Sequence, residues 1–364
     1  MPPARSDLAK FADKARNKYG ETRIANGPPV VIVPSGSLAL DRALVVGGYQ
    51  EGRIYEFLGP KDSGKSTVGI EALISFASFY PDRGYGMVNL EKTFDPRRAT
   101  AMGLDCSDAA KAEGRWMPML ARSSEQASDM ARDLCKSGLY SLVLVDSVGA
   151  MESDKVLDKE AEKARDQVGT NAKIISQMIK DLIDACAANR CTLILVNQPR
   201  ANIGGFGGDI SAGPKLMQHS STAKIDFSAR GSEEDVRKLK LDKNDDPVIV
   251  SGRHRLRVSR MKNGLAGRIG EVFINRIGTA EYGPPGVDKA DEHLTWGIRQ
   301  GVIAQASSYY TLPGGKRING RIACATYLRE NPSLMKEIRA AMKFDAPTDE
   351  YGESVATPET EEVA

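Results

Sequence analysis

The sequence predicts an α/β fold, a mostly parallel central sheet sandwiched by helices, and three observations predict it. Four short apolar runs rich in β-branched residues read as strands covered on both faces: "GRIYEFLG" (52–59), "GYGMVNLE" (84–91), "YSLVLVDS" (140–147) and "CTLILVNQ" (191–198). Amphipathic helical segments alternate with them. A glycine-rich turn follows the first run directly. In such a sheet, ligands sit at the C-terminal ends of the strands.

The elements follow in order. "DLAKFADKARNKYG" reads as an amphipathic helix with Leu8, Phe11, Ala12 and Ala15 on one side, and an extended segment, "ETRIANGPPVVIV", comes after it. After the strand at 52–59 and its turn, "STVGIEALISFASF" reads as a helix. A helix begins at Ser123 with a capping box to Gln126 and lines Ala127, Met130, Ala131 and Leu134 along one face. "TNAKIISQMIKDLIDACAANR" puts Ile175, Met178, Ile179, Leu182 and Cys186 on another. "RLRVSRMKNG" and "RIGEVFINRIG" read as hairpin strands joined around Gly264 and Gly267, extending the sheet antiparallel.

At 364 residues the chain is long enough for one large domain and one or two small ones. No run approaches the roughly 20 apolar residues of a membrane span, and the start "MPPARSDLAK" lacks a secretory apolar stretch, so a soluble, cytoplasmic protein without a membrane partner is expected. The five cysteines form no CxxC pair and accompany no paired histidines, which points to buried free thiols rather than a disulfide framework or a zinc site. The overall charge of +2 conceals an asymmetry: after Lys343 the tail holds seven acids and no Lys or Arg, leaving the body at about +9. That basic excess suggests a polyanionic partner, which the acidic tail would compete with or screen.

The turn "GPKDSGKST" fits G-x-x-x-x-G-K-[ST] with Gly59, Gly64, Lys65 and Ser66, after a strand and before a helix. The backbone of Gly59, Pro60, Asp62, Ser63, Gly64 and Thr67 would close around phosphate oxygens, Lys65 would reach the β- and γ-phosphates, and Ser66 would ligate Mg²⁺. Asp146, ending "SLVLVD", is the metal's second acidic partner. A phosphate site alone leaves kinase, helicase, transporter and recombinase open. Three further stretches narrow the choice. Glu91 in "NLEKTFDP" ends the next strand, where a carboxylate could deprotonate an attacking water. Gln198 in "TLILVNQPR" could sense the γ-phosphate. After it, "ANIGGFGGDISAG" (201–213), with Gly204, Gly205, Gly207 and Gly208 around Phe206 and Arg200 just before, suits a segment that orders on a nucleic-acid strand. A second candidate, 153–169, alternates Lys155, Lys159, Lys163 and Arg165 with acids.

These stretches, with "SGSLALDRAL", "LVLVDS" and "RVSRMKNG" in the same order and a C-terminal segment beginning "HLTWGIRQGVIAQ", resemble the RecA-type homologous-recombination family across nearly the whole chain. The resemblance implies a RecA-like P-loop ATPase core, with ATP and Mg²⁺ bound between neighbouring protomers of a helical filament on single-stranded DNA, which pairs with double-stranded DNA and exchanges strands. It makes Glu91 the catalytic base, Gln198 the γ-phosphate sensor, and 153–169 and 201–213 the DNA-binding loops. It further implies residues 1–36 as a helix and polymerisation strand packing on the adjacent protomer, 37–285 as the ATPase core, 286–344 as a small α+β duplex-binding domain, and 345–364 as a disordered acidic tail. In that domain Arg299, Lys316, Arg317, Arg321, Arg329, Lys336, Arg339 and Lys343 are numerous enough to form a duplex-capturing patch.

The chain departs from the bacterial pattern at several points. Lys262 matches the first of two lysines that reach the neighbouring ATP, but Gly264 stands where the second is expected. His219 resembles a histidine of archaeal and eukaryotic recombinases and could couple its loop to the γ-phosphate. Beside Asp95, Arg97 and Arg98 stand where an aromatic commonly faces adenine, and could stack on the base as cations. This blend suggests a divergent, phage-encoded member.

Overall fold

The computed structural model describes residues 5–19, 30–148, 164–200, 210–211, 217, 220–240, 246–262 and 264–342. The chain divides into two compact units, 1–31 and 32–364. In the first, helix α1 (Arg5–Tyr19) carries an exposed Phe11 and an Arg16–Asp13 ion pair at 3.1 Å.

The second unit opens with β1 (Ile32–Val33), α2 (Leu38–Ala43), β2 (Tyr49–Gln50) and β3 (Ile54–Leu58), then α3 (Lys65–Phe79), β4 (Gly84–Asn89), α4 (Pro96–Met102), α5 (Asp108–Ala112) and β5 (Trp116–Leu120). It continues through α6 (Ser124–Lys136), β6 (Tyr140–Asp146), α7 (Ala164–Asn189), β7 (Thr192–Asn197), β8 (Pro199–Arg200) and β9 (Ile210–Ser211). Next come β10 (Ala223–Ala229), β11 (Val236–Leu239), β12 (Val248–Met261), β13 (Ile269–Asn275) and β14 (Gly286–Val287). It closes with α8 (Lys289–Arg299), β15 (Ala304–Ala306), β16 (Tyr309–Thr311), β17 (Arg317–Asn319), α9 (Arg321–Glu330) and α10 (Pro332–Ala341).

The main sheet runs β14-β13-β12-β10-β3-β7-β6-β4-β5, with β11 added onto β12. From β10 to β5 every pairing is parallel, as the apolar runs require; β12, β13 and β14 extend it antiparallel, as the hairpin reading expects. Every residue of β3, β6 and β7 is buried. One core packs α3 against one face through Val68, Leu73 and Phe76; the other packs α6 and α7 through Ala127, Ala131, Met178, Ile179 and Leu182. Each of the larger of these side chains contributes roughly 1.5–3 kcal/mol when fully buried. At one edge β5 pairs, among the described residues, only with β4, Pro118 lying opposite Met87.

Three features differ from expectation. The strand expected at 84–91 stops at Asn89, so Glu91 lies beyond the ladder. The capping box is half formed: the Ser123 side chain accepts from Gln126 N at 3.2 Å, but Gln126 Oε1 takes the N–H of Arg122 at 2.7 Å instead of that of Ser123. Finally, β10 had no counterpart in the sequence reading, although Ala223, Ile225 and Phe227 alternate with less buried residues along it. All five cysteines are buried and unbridged, as expected.

The C-terminal elements have their own core of Leu294, Ile303, Tyr310, Leu328 and Ile338, which Leu38 of α2 joins. Buried carboxylates tie them to the sheet. Glu292 of α8 accepts from Ser37 Oγ at 2.6 Å, Leu38 N at 3.0 Å and Ala39 N at 3.1 Å, capping α2 from 255 residues away. Asp41 accepts from Arg339 at 2.6 Å, and Glu71 of α3 pairs with Lys289 at 2.8 Å. Of the basic residues expected to capture duplex, Arg321 therefore pairs with Asp291 at 2.9 Å, Arg329 with Asp288 at 3.8 Å and Arg339 with Asp41; these three serve intrachain contacts. Lys316 lies over the Tyr327 ring and Arg317 over that of Tyr309.

Candidate nucleotide site

The C-terminal ends of four neighbouring strands lie level, since Leu58 pairs with Asn197 and Asn89 with Asp146. The residues just beyond those ends therefore converge. β3 delivers the chain to the turn Gly59–Thr67. A Cβ at Gly59 would lie 2.5 Å from the Phe227 carbonyl oxygen, so only glycine fits there, and Gly64, where a Cβ would meet Ile274 Cδ1 at 2.6 Å, has a positive φ that strains any other residue. Asp62 at φ 60° and Gly64 at φ 94° take the left-handed backbone that turns N–H groups toward an anion. Gly64 is the N-cap of α3 and supplies no capping side chain, which leaves the first N–H groups of that helix to a ligand.

Lys65 Nζ donates to the carbonyls of Gly59 at 2.8 Å and Pro60 at 2.6 Å. Burial lowers the pKa of its ammonium, against the pull of Asp146, Glu91 and Asp62. Asp146, buried at the end of β6, shifts upward chiefly by desolvation, while a hydrogen bond from Ser66 opposes the shift. A glycine-lined turn, an uncapped helix N-terminus, a lysine in the turn and a buried carboxylate beside an exposed hydroxyl fit a nucleoside triphosphate with a divalent cation.

Glu91 lies close enough to Lys65 for its charge to act on that ammonium. Its Oε1 accepts from Ser147 Oγ at 2.5 Å and from Gln198 Nε2 at 2.8 Å. Asn89 Oδ1 fixes the backbone here by accepting from Glu91 N at 3.0 Å and Lys92 N at 3.1 Å. Asn197 does the same for Gln198, accepting its N–H at 2.9 Å while donating to the buried Glu56. Asp95 caps α4 through Arg97 N at 2.9 Å. The Arg98 guanidinium donates to the Arg276 carbonyl at 2.6 Å and to Thr67 Oγ1 at 3.3 Å. Lys262 follows β12 beside Arg53 and Arg260, with its ammonium on Ser220 O at 3.1 Å. Lys163, Gly204, Gly205, Phe206, Gly207, Gly208 and His219 lie outside the described residues, as do the side chains of Arg165 and Arg200.

Three residues here escaped the sequence reading. His254 Nδ1 donates to the Ser63 carbonyl at 2.9 Å, buttressing the turn from β12; burial lowers its pKa. Only the inward alternation of His254, Leu256 and Val258 marks it. Ser147 and Asn197 were legible only as neighbours of Asp146 and Gln198.

The RecA N-terminal domain family matches residues 9–275, nearly three quarters of the chain and all of this site. The chain belongs to the RecA family. Proteins named RecA from Frankia alni, Acidothermus cellulolyticus and Staphylococcus epidermidis are each 28% identical to it, over 91%, 95% and 96% of this chain and 89%, 92% and 93% of their own lengths. The parallel sheet with its strand-end site and the small antiparallel sheet β15-β16-β17 agree with a RecA core fold. No described helix of this RecA-family chain is long and apolar enough to cross a membrane.

Proposed function

We propose that this RecA-family chain is a DNA-dependent ATPase that forms helical filaments on single-stranded DNA, pairs it with homologous duplex and exchanges strands in recombination and repair. The observation that carries this reading is the Gln198–Glu91 hydrogen bond at 2.8 Å. It links a carboxylate facing the nucleotide turn to the residue from which the chain enters the glycine-rich segment 201–213, the proposed DNA-binding loop with Arg200 and Phe206.

Ser66 and Asp146 would hold magnesium, which supplies charge neutralisation on the phosphates. Lys65 exchanges the carbonyls of Gly59 and Pro60 for phosphate oxygens. Glu91 takes one proton from water as the water oxygen bonds to the γ-phosphorus and the bond to the ADP oxygen breaks. Gln198, drawn to the γ-phosphate, leaves Glu91 and carries the state of the nucleotide into 201–213. Residues 153–169, with Lys163 and Arg165, form the second DNA loop. His219 couples to the γ-phosphate, and Asp95 and Arg98 flank the base. Lys262 reaches a neighbouring protomer's nucleotide. Residues 1–36 polymerise, 286–344 bind duplex and 345–364 screen them.

The test is ATP turnover with and without single-stranded DNA, together with strand exchange. Stimulation by DNA, and loss of both activities in Lys65→Ala, are expected. Turnover indifferent to DNA, or closed rings that unwind duplex ends, would overturn the reading in favour of another motor.

A further inference from the structure

The two donors on Glu91 are unequal. Both bond the same atom, Oε1, and among the described residues no hydrogen bond reaches Oε2. Ser147 is fully buried, 0% exposed, in the residue directly after β6, in the middle of the parallel sheet. Gln198 is only half buried and follows β7 into a two-residue strand. One donor is enclosed by the core and the other is half exposed.

We propose that Ser147 is the positioning residue of the proposed hydrolysis, the fixed donor that sets the rotation of the Glu91 carboxylate. The last torsion of a glutamate is broad and two-fold, so a carboxylate without a fixed donor samples many orientations. Ser147 ends that freedom by holding Oε1, which leaves the Oε2 lone pairs as the ones open to water. It does so while Gln198 is bound to Glu91 and after Gln198 moves to the phosphate. Gln198 carries the signal, and Ser147 keeps the base aimed. Ser147 touches neither substrate nor metal in this role; its effect runs wholly through Glu91. The inference rests on Glu91 being the base.

The experiment uses the full chain with ATP, magnesium and single-stranded DNA. It compares Ser147→Ala, Ser147→Thr, Glu91→Gln and the double variant Glu91→Gln/Ser147→Ala, with ADP affinity measured for each. A hydrogen bond to a charged group is worth a factor of about 10–100. Ser147→Ala is expected to lower kcat by about that factor with the KM for ATP and ADP affinity unchanged, and Ser147→Thr, which keeps the hydroxyl, to restore most of it. In the Glu91→Gln background, removing the hydroxyl is expected to cost nothing further. An equal loss of kcat in that background, or a rise in KM at constant kcat, overturns the proposal. If Thr packs badly, the double variant still decides. Full turnover by Glu91→Gln would instead overturn the base reading itself, a result distinguishable from failure of the Ser147 role.

Discussion

Glu292 gives the sharpest test of how the C-terminal elements are attached. Burial, with Asp41 nearby, pushes its carboxyl up to about 8, although three donors of α2 face it. An acid raised in the fold binds its proton more tightly there than in the unfolded chain. Its contribution is therefore whole below the ordinary value near 4.5 and is lost as pH rises through about 8. The interval of about 3.5 units, at about 1.4 kcal/mol each, sets a ceiling of about 5 kcal/mol. Glu292→Gln keeps the size and removes the titration. Denaturant melts of both proteins between pH 5 and 9, followed by Trp296 emission in a Trp116→Phe background, report on α8 itself, where Trp296 lies under Arg42 at 4.4 Å. The advantage of wild type over the variant is expected to shrink by about 2–5 kcal/mol from pH 5 to pH 8. Parallel stability curves across that range would refute the reasoning.

Further outcomes are expected at other sites. Gly64→Ala forces a side chain at φ 94° into Ile274 Cδ1, and about 2–4 kcal/mol of stability should be lost along with nucleotide binding, as read by melts with and without ATP. Burial holds His254 below its ordinary value against the Ser63 bond, which favours the cation, so stability is whole above about pH 6.5 and falls as the buried ring is forced to charge; melts from pH 7.5 to 5 should drop more steeply for wild type than for His254→Leu. Arg339→Ala withdraws the guanidinium from buried Asp41 and should cost about 2–3 kcal/mol, allowing for the partial exposure of Arg339, with Trp296 reporting the loss first. Deleting residues 345–364 should tighten duplex binding and weaken its dependence on magnesium, measured by titration across salt concentrations.

The sheet was legible because β3, β6 and β7 are buried on both faces, and that burial writes itself as unbroken apolar runs. The turn was legible because glycine is needed for the approach of Phe227 at Gly59 and for the positive φ of Gly64. The residues that escaped act through distant partners. Glu292 reads as an ordinary acid on a helix until α2 is found above it, and His254 as one polar residue in a strand until Ser63 meets it. Strand β10 carries the period-2 alternation of a half-buried strand at Ala223, Ile225 and Phe227, and was overlooked beside the unbroken apolar runs. Among the basic C-terminal residues, the charge count does not reveal that Arg321, Arg329 and Arg339 already have an acid.

The two ends of the sheet bear on how such a chain associates with itself. β5 carries Pro118, which has no N–H to give, and β14 is two residues long and follows Pro284 and Pro285 directly. Neither rim offers an uninterrupted row of donors on which a second molecule's strand could grow. For a protein proposed to assemble in long regular arrays, this guards against uncontrolled edge-to-edge strand pairing, the amyloid-like route to a fibre.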